Sequence, residues 1–403
     1  MTNRVFCLVS PLWVLVMLLA AATGQSTNTP SCSVSAGPVP GSCPVSMGWA
    51  STIPASQCEH LTIHCVPPQN SSVAINDLGI TYGYQTPPTG TTPKGTIVFF
   101  SPEGGNMPAD QEPSCPQPPC YSELNYFADY LAASYQVVQT AWDSTSAWED
   151  TGTSTKNIAY AAGRVSAFLA YVQTNSNLFA YVQGSNAKAG MCAQGNSGGG
   201  GAIAYYLAWY NGYLDHAEFL SSPPFGNIEA GCEYSLGTVY DVTVCPTGEF
   251  GCNPANNPQS WTLEAFYDDA LKGMRAWSDE SSQSSWECRP PIAQNTNATA
   301  NQDWNNMSIA DGTVGQFNYP QTSMTAWLCS SVWSSDGLND GAMNNSSTQA
   351  ELFFQNFTSA SQANSLLING VTACNGVEDV TNAVPKQLGL IEQDMEGKCT
   401  SHH

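Results

Sequence analysis

The sequence is poor in charge, and poorest in positive charge: 10 Lys plus Arg stand against 32 Asp plus Glu, and charged residues make up only 10% of its 403 positions. A formal net charge of −22 excludes nucleic acid as a partner bound by phosphate neutralisation. Histidine is scarce too, at five residues, so chemistry that needs an imidazole has few places to find one. Beyond the first two dozen residues no apolar run is long enough to span a bilayer, so no integral membrane segment is expected in the body of the chain. Also missing are His-Glu-x-x-His, a phosphate-binding Gly-Lys-Ser and a calcium loop of EF-hand form; no metal and no cofactor is expected. What is present is apolar material, 42% hydrophobic and 10% aromatic, ample for a packed core. The polar surface must come from Ser, Thr, Asn, Gln and Gly rather than from ion pairs.

The first residues speak to the compartment. One positive side chain, Arg4, precedes an apolar stretch from Val5 to Ala22, and Ala22-Thr23-Gly24 places small residues at −3 and −1 of a cut before Gln25. Residues 1–24 therefore read as a secretory signal peptide, with the mature protein extracellular. Cysteine usage agrees, since Cys7 leaves with the signal and the remaining fourteen could form up to seven disulfides. Cys58 with Cys65, Cys115 with Cys120 and Cys245 with Cys252 are plausible short loops, although spacing alone does not fix connectivity. Glycosylation sequons at Asn70, Asn297, Asn306, Asn344, Asn345 and Asn356 imply exposed loops, five of the six falling between 297 and 356.

Residues 25–57, rich in Ser, Thr, Pro and Gly, read as an irregular arm pinned by a disulfide. Strand signals at Leu61 to Val66, Val73 to Tyr84 and Thr96 to Phe100 suggest an antiparallel lead-in to a sheet. Helical and strand patterns then alternate: a helix near Tyr121 to Ala133, a strand at Tyr135 to Ala141, a helix at Asn157 to Gln173, a strand at Ala187 to Ala193, a helix after Gly198, and a strand at His216 to Leu220. Such alternation predicts an α/β fold with a mostly parallel, doubly covered sheet. The core reads as 58–225 and 363–403, with a strand at Ser365 to Ala373 and a closing helix from about Pro385 to Met395. Between them 226–362 reads as a cap insertion holding five cysteines and six of the eleven tryptophans (Trp261, Trp277, Trp286, Trp304, Trp327 and Trp333), since a linker has no need of large apolar side chains.

The chemical signal is Gly195-Asn196-Ser197-Gly198-Gly199, which satisfies G-x-S-x-G with a strand before it and an Ala-rich helix after it. That is the setting of a nucleophile elbow, where glycines permit a tight turn that exposes the serine hydroxyl. With this context, the chain from about residue 58 onward resembles a secreted member of the α/β-hydrolase superfamily. The resemblance implies an oxyanion hole from the N–H of Gly198 and from the loop Phe100-Ser101-Pro102-Glu103-Gly104-Gly105-Asn106, hence Gly105 and Asn106. The superfamily order of Ser, acid and then His implies Asp379 as the orienting carboxylate, with Asp336 and Asp340 as alternatives, and His402 or His403 as the base. Ser197 attacks a carbonyl, the imidazole takes and returns the proton, and water releases the acyl group. Trp142 and Trp148, following a predicted strand at its C-terminal end, are candidates for the substrate pocket.

The expected function is a secreted carboxylesterase-like serine hydrolase acting on a small-molecule or polymeric ester. A peptidase or aminopeptidase of the same fold is the nearest alternative, because the Gly104-Gly105 loop is similar to that of secreted tripeptidyl-type aminopeptidases. A non-catalytic binding module of hydrolase fold is the alternative from another class. Cys58-Glu59-His60-Leu61-Thr62-Ile63-His64-Cys65 offers zinc-type ligands, but an oxidising compartment favours disulfides there.

Overall fold

The computed structural model describes residues 31–41, 43, 58–66, 76–100, 123–143, 158–175, 189–196, 198–210, 214–220, 322–329, 366–371 and 385–400. Nine strands form one sheet: β1 (Ser31–Gly41), β2 (Cys58–Val66), β3 (Leu78–Gln85), β4 (Gly95–Phe100), β5 (Gln136–Trp142), β6 (Gly190–Asn196), β7 (His216–Leu220), β8 (Ser323–Cys329) and β9 (Leu366–Val371). Four helices are described, α1 (Glu123–Ala132), α2 (Ile158–Thr174), α3 (Gly198–Tyr210) and α4 (Pro385–Lys398). The strand order is β1-β2-β3-β5-β4-β6-β7-β8-β9. The pairs β1/β2, β2/β3 and β3/β5 are antiparallel, whereas β4 pairs in parallel with β5 and β6, and the parallel run continues through β7, β8 and β9. A mostly parallel, helix-linked core with an antiparallel lead-in is thus as the sequence predicts, but Gly95–Phe100, expected in the lead-in, belongs to the parallel core.

β4 and β5 are buried along their whole length, as expected of central strands covered on both faces. Side-chain alternation divides the core. Val98, Phe100, Met191 and Ala193 face α2 and α3, meeting Val165, Phe168, Ile203 and Leu207. Ile97, Phe99, Cys192 and Leu220 face α1 and α4, meeting Phe127, Tyr130, Ile391 and Met395. Phe99 and Phe127 meet edge-on with ring centroids 4.4 Å apart.

Four expectations are corrected. Residues 25–57 are not wholly irregular, because β1 lies within them and pairs with β2; Pro38 and Pro40, which disguise it, are tolerated because β1 is an edge strand. The stretch read as a cap contains β8, a strand of the main sheet between β7 and β9, and Trp327 belongs to it; the remainder of 226–362 lies outside the described residues. Cys58 and Cys65 do not pair with each other, because they sit at opposite ends of one extended strand, roughly 23 Å apart at the strand rise. They bond instead to Cys43 and Cys32, which pins β1 to β2 and leaves no thiolates for a zinc site. Gly95–Phe100, read as part of the antiparallel lead-in, is parallel to both its neighbours, and Cys399 bonds Cys192 on β6. Cys115, Cys120, Cys245 and Cys252 lie outside the described residues.

Candidate active site

β6 ends at Asn196 and α3 begins at Gly198, so a single residue separates strand from helix. The junction is so tight that a Cβ placed on Gly195 would collide with the backbone of Gly199 and Gly200. Only glycine fits there, which is what a nucleophile elbow demands of its flanking position. Because β4, β5, β6, β8 and β9 run in parallel, the segments that follow them all leave the sheet at one edge. Open α/β sheets gather their ligands at that carboxyl edge. Ser197 itself, Gly105, Asn106, Trp148, Asp379, His402 and His403 lie outside the described residues; Gly198 is the first residue of α3.

Trp142 does not line a pocket. It is 1% exposed and belongs to the core on the α2 and α3 face, because its position in β5 points it inward. The terminal histidines meet a different obstacle. Thr400 bridges Ala189 in antiparallel sense, and Cys399 is bonded to Cys192, so the chain end is fastened beside the first half of β6. The backbones touch closely, since a Cβ on Gly190 would lie 2.6 Å from the carbonyl carbon of Cys399. Asn196, the last residue of β6, lies seven steps from Ala189, roughly 23 Å at the strand rise. Three residues beyond Thr400 span at most about 11 Å, and the chain at Thr400 runs away from Asn196. Thr400 and Cys399 thus sit toward the end of β6 opposite Asn196, and His402 and His403 themselves lie outside the described residues.

The other histidines are placed in full. His60 and His64 lie on β2, four strands from β6, and each faces a carboxylate: His60 Nε2 is 2.5 Å from Asp143 Oδ2, and His64 Nδ1 is 2.6 Å from Asp77 Oδ1. His216 is buried at the start of β7, level with Cys192 and so toward the opposite edge from residue 197.

Around His216 lies a buried polar cluster that the sequence reading passed over. Glu218, on the same face of β7, accepts hydrogen bonds from Gln194 Nε2 and from Trp327 Nε1, the latter at 2.7 Å. Burial, and secondarily the charge of Asp394, push the Glu218 carboxyl up to about 8. Asp394, on α4, accepts from Thr325 Oγ1 at 2.5 Å and pairs with Lys398 Nζ at 2.8 Å. The signal for it was available: in His216-Ala217-Glu218-Phe219-Leu220 two ionisable residues alternate with apolar ones inside a strand predicted to be covered on both faces.

A mostly parallel sheet with an antiparallel lead-in, two helices on each face and a one-residue strand-to-helix junction inside G-x-S-x-G define an α/β-hydrolase fold. No family model and no curated protein matches the chain. Solved structures similar to it include lipase A of Candida antarctica in its closed state, with 13% identity, TM-score 0.47 and coverage of 93% of this chain and 86% of that one. A thermostable carboxyl esterase from Bacillus coagulans gives 11% identity, TM-score 0.41 and coverage of 85% and 97%. A bacterial brefeldin A esterase gives 13% identity, TM-score 0.39 and coverage of 98% and 87%. The strand order and the junction, not these likenesses, carry the fold. No helix among the described residues is long and apolar enough to cross a membrane, and three disulfides join described cysteines.

Proposed function

We propose that the chain is a secreted serine hydrolase that cleaves a carboxylic ester with Ser197 as nucleophile. The observation that carries this reading is the β6–α3 junction, a single residue long and closed against Gly195, since such a turn aims a serine hydroxyl out of the sheet edge. Ser197 Oγ attacks the ester carbonyl. The N–H of Gly198, with those of Gly105 or Asn106, receives the developing oxyanion, and water then releases the acyl group. The attachment of Thr400 beside Ala189 speaks against His402 and His403 as the base, and His60, His64 and His216 lie on β2 and β7. The proton therefore passes to a carboxylate from the segments that follow β8 and β9, with Asp336, Asp340 and Asp379 as the candidates.

The same anchor supports a second reading, a hydrolase-fold binding module without turnover, because a serine lacking an imidazole loses its usual activation. Labelling of the secreted protein with a fluorophosphonate probe, with Ser197→Ala as control and peptide mapping of the adduct, separates the two. An adduct on Ser197, with short-chain ester turnover whose acid limb falls in the carboxylate range of about 4–5 rather than near 6.5, is the expected result. No adduct on folded protein establishes the binding module. Turnover of peptides in preference to esters turns the assignment to a peptidase.

A further inference from the structure

We propose that His216, Glu218 and Asp394 form a zinc site, with the Thr325 hydroxyl as a further oxygen donor, that clamps α4 onto the sheet far from residue 197. The three side chains come from two elements, β7 and α4, and one potential ligand atom from each lies within 4.8 Å of the others. His216 and Glu218 are fully buried.

The tautomer of His216 can be read from its neighbours. Ser323 Oγ donates to the carbonyl of Asp215 at 3.1 Å, so its proton is committed. His216 Nδ1 lies 2.8 Å from Ser323 Oγ and 3.1 Å from Ser323 O. Toward His216 both atoms can only accept, so Nδ1 is the donor. In the neutral ring Nε2 then carries the lone pair, and it faces Asp394 Oδ2 at 3.6 Å. Those two atoms, with a carboxylate oxygen of Glu218, lie close enough together for one cation to bridge them. A histidine whose second nitrogen donates to a backbone carbonyl is also the usual posture of a metal-bound imidazole.

Lys398 marks where that charge belongs. Its Nζ lies 2.8 Å from Asp394 Oδ1, 3.1 Å from Asp394 Oδ2 and 2.8 Å from Thr325 Oγ1. Its side chain is 29% exposed against 13% for Asp394. It can therefore swing out to solvent, leaving the Asp394 and Thr325 oxygens to an ion. One imidazole with two carboxylates suits zinc, whereas magnesium and calcium favour all-oxygen sites. The proposal does not depend on Ser197 being catalytic.

The test uses the full chain, purified without a metal column, stripped with EDTA, equilibrated with zinc chloride and freed of excess by gel filtration. One zinc per chain by mass spectrometry, a raised thermal midpoint, and an X-ray absorption shell of nitrogen and oxygen at about 2.0–2.1 Å are expected. Asp394→Asn should lose the zinc. Ser323→Ala, which removes only the hydroxyl beside His216, should bind about 10- to 100-fold more weakly. Lys398→Gln should bind more tightly than wild type, because the competing cation is gone, whereas a plain salt bridge predicts only lost stability. His60→Gln with His64→Gln should leave the stoichiometry unchanged. Less than a tenth of an equivalent on wild type, a sulfur shell, zinc fully retained by Asp394→Asn, or no tightening in Lys398→Gln would each overturn the proposal; if Asp394→Asn does not fold, the Ser323 and Lys398 variants decide.

Discussion

The two ends of β6 are built on different principles. Beyond Asn196 the chain turns into α3 through one residue, and the requirement is local: glycines at fixed offsets around Ser197. At the other end, Ala189, Gly190 and Cys192 receive Thr400 and Cys399 from more than two hundred residues away. The chemical end is written in consecutive letters. The fastened end depends on partners that no window of sequence contains.

The largest effect expected from breaking this contrast is at the fastening. Replacing Cys192 and Cys399 by Ser opens a cross-link spanning 207 residues, a loss of up to about 5 kcal/mol on chain-entropy grounds. Denaturant unfolding under non-reducing conditions should report it as a lower midpoint, with fluorophosphonate labelling of the still-folded fraction retained. The chemical end should respond in reverse. Gly195→Ala forces a Cβ into the Gly199 and Gly200 backbone, at a cost of about 1–3 kcal/mol. Its labelling should fall much further than its stability. The smallest effect sharpens the comparison: deleting residues 401–403 should leave turnover and stability within about 0.5 kcal/mol, or roughly twofold in rate. A deletion that abolished turnover with a native circular dichroism spectrum would restore the terminal histidines to the site.

Much of the architecture was legible because central strands advertise themselves. Gly95–Phe100 and Gln136–Trp142 are compact runs between helical patterns, and covered parallel strands read that way. β8 was missed because Ser323-Met324-Thr325-Ala326-Trp327 mixes polar and apolar residues and sits among cysteines and sequons. Its polar groups meet α4 and β7: Thr325 reaches Asp394 on α4, and Trp327 reaches Glu218 on β7. β1 was missed for the opposite reason, since an edge strand can carry prolines and exposed side chains without losing its one partner. Trp142 was misread because a strand's last residue points either to the core or to the ligand edge, and its register against Ile80 decides in favour of the core. The glycines around residue 197 were legible for a steric reason that holds in any sequence.

The bond between Cys192 and Cys399 also sets an order of manufacture. Synthesis from the N-terminus makes Cys192 long before its partner, which lies 207 residues further on. Throughout that interval the thiol at the middle of the sheet must avoid the cysteines made in between. Chains that stop short of Cys399 carry this unclosed thiol as a visible mark of incompleteness.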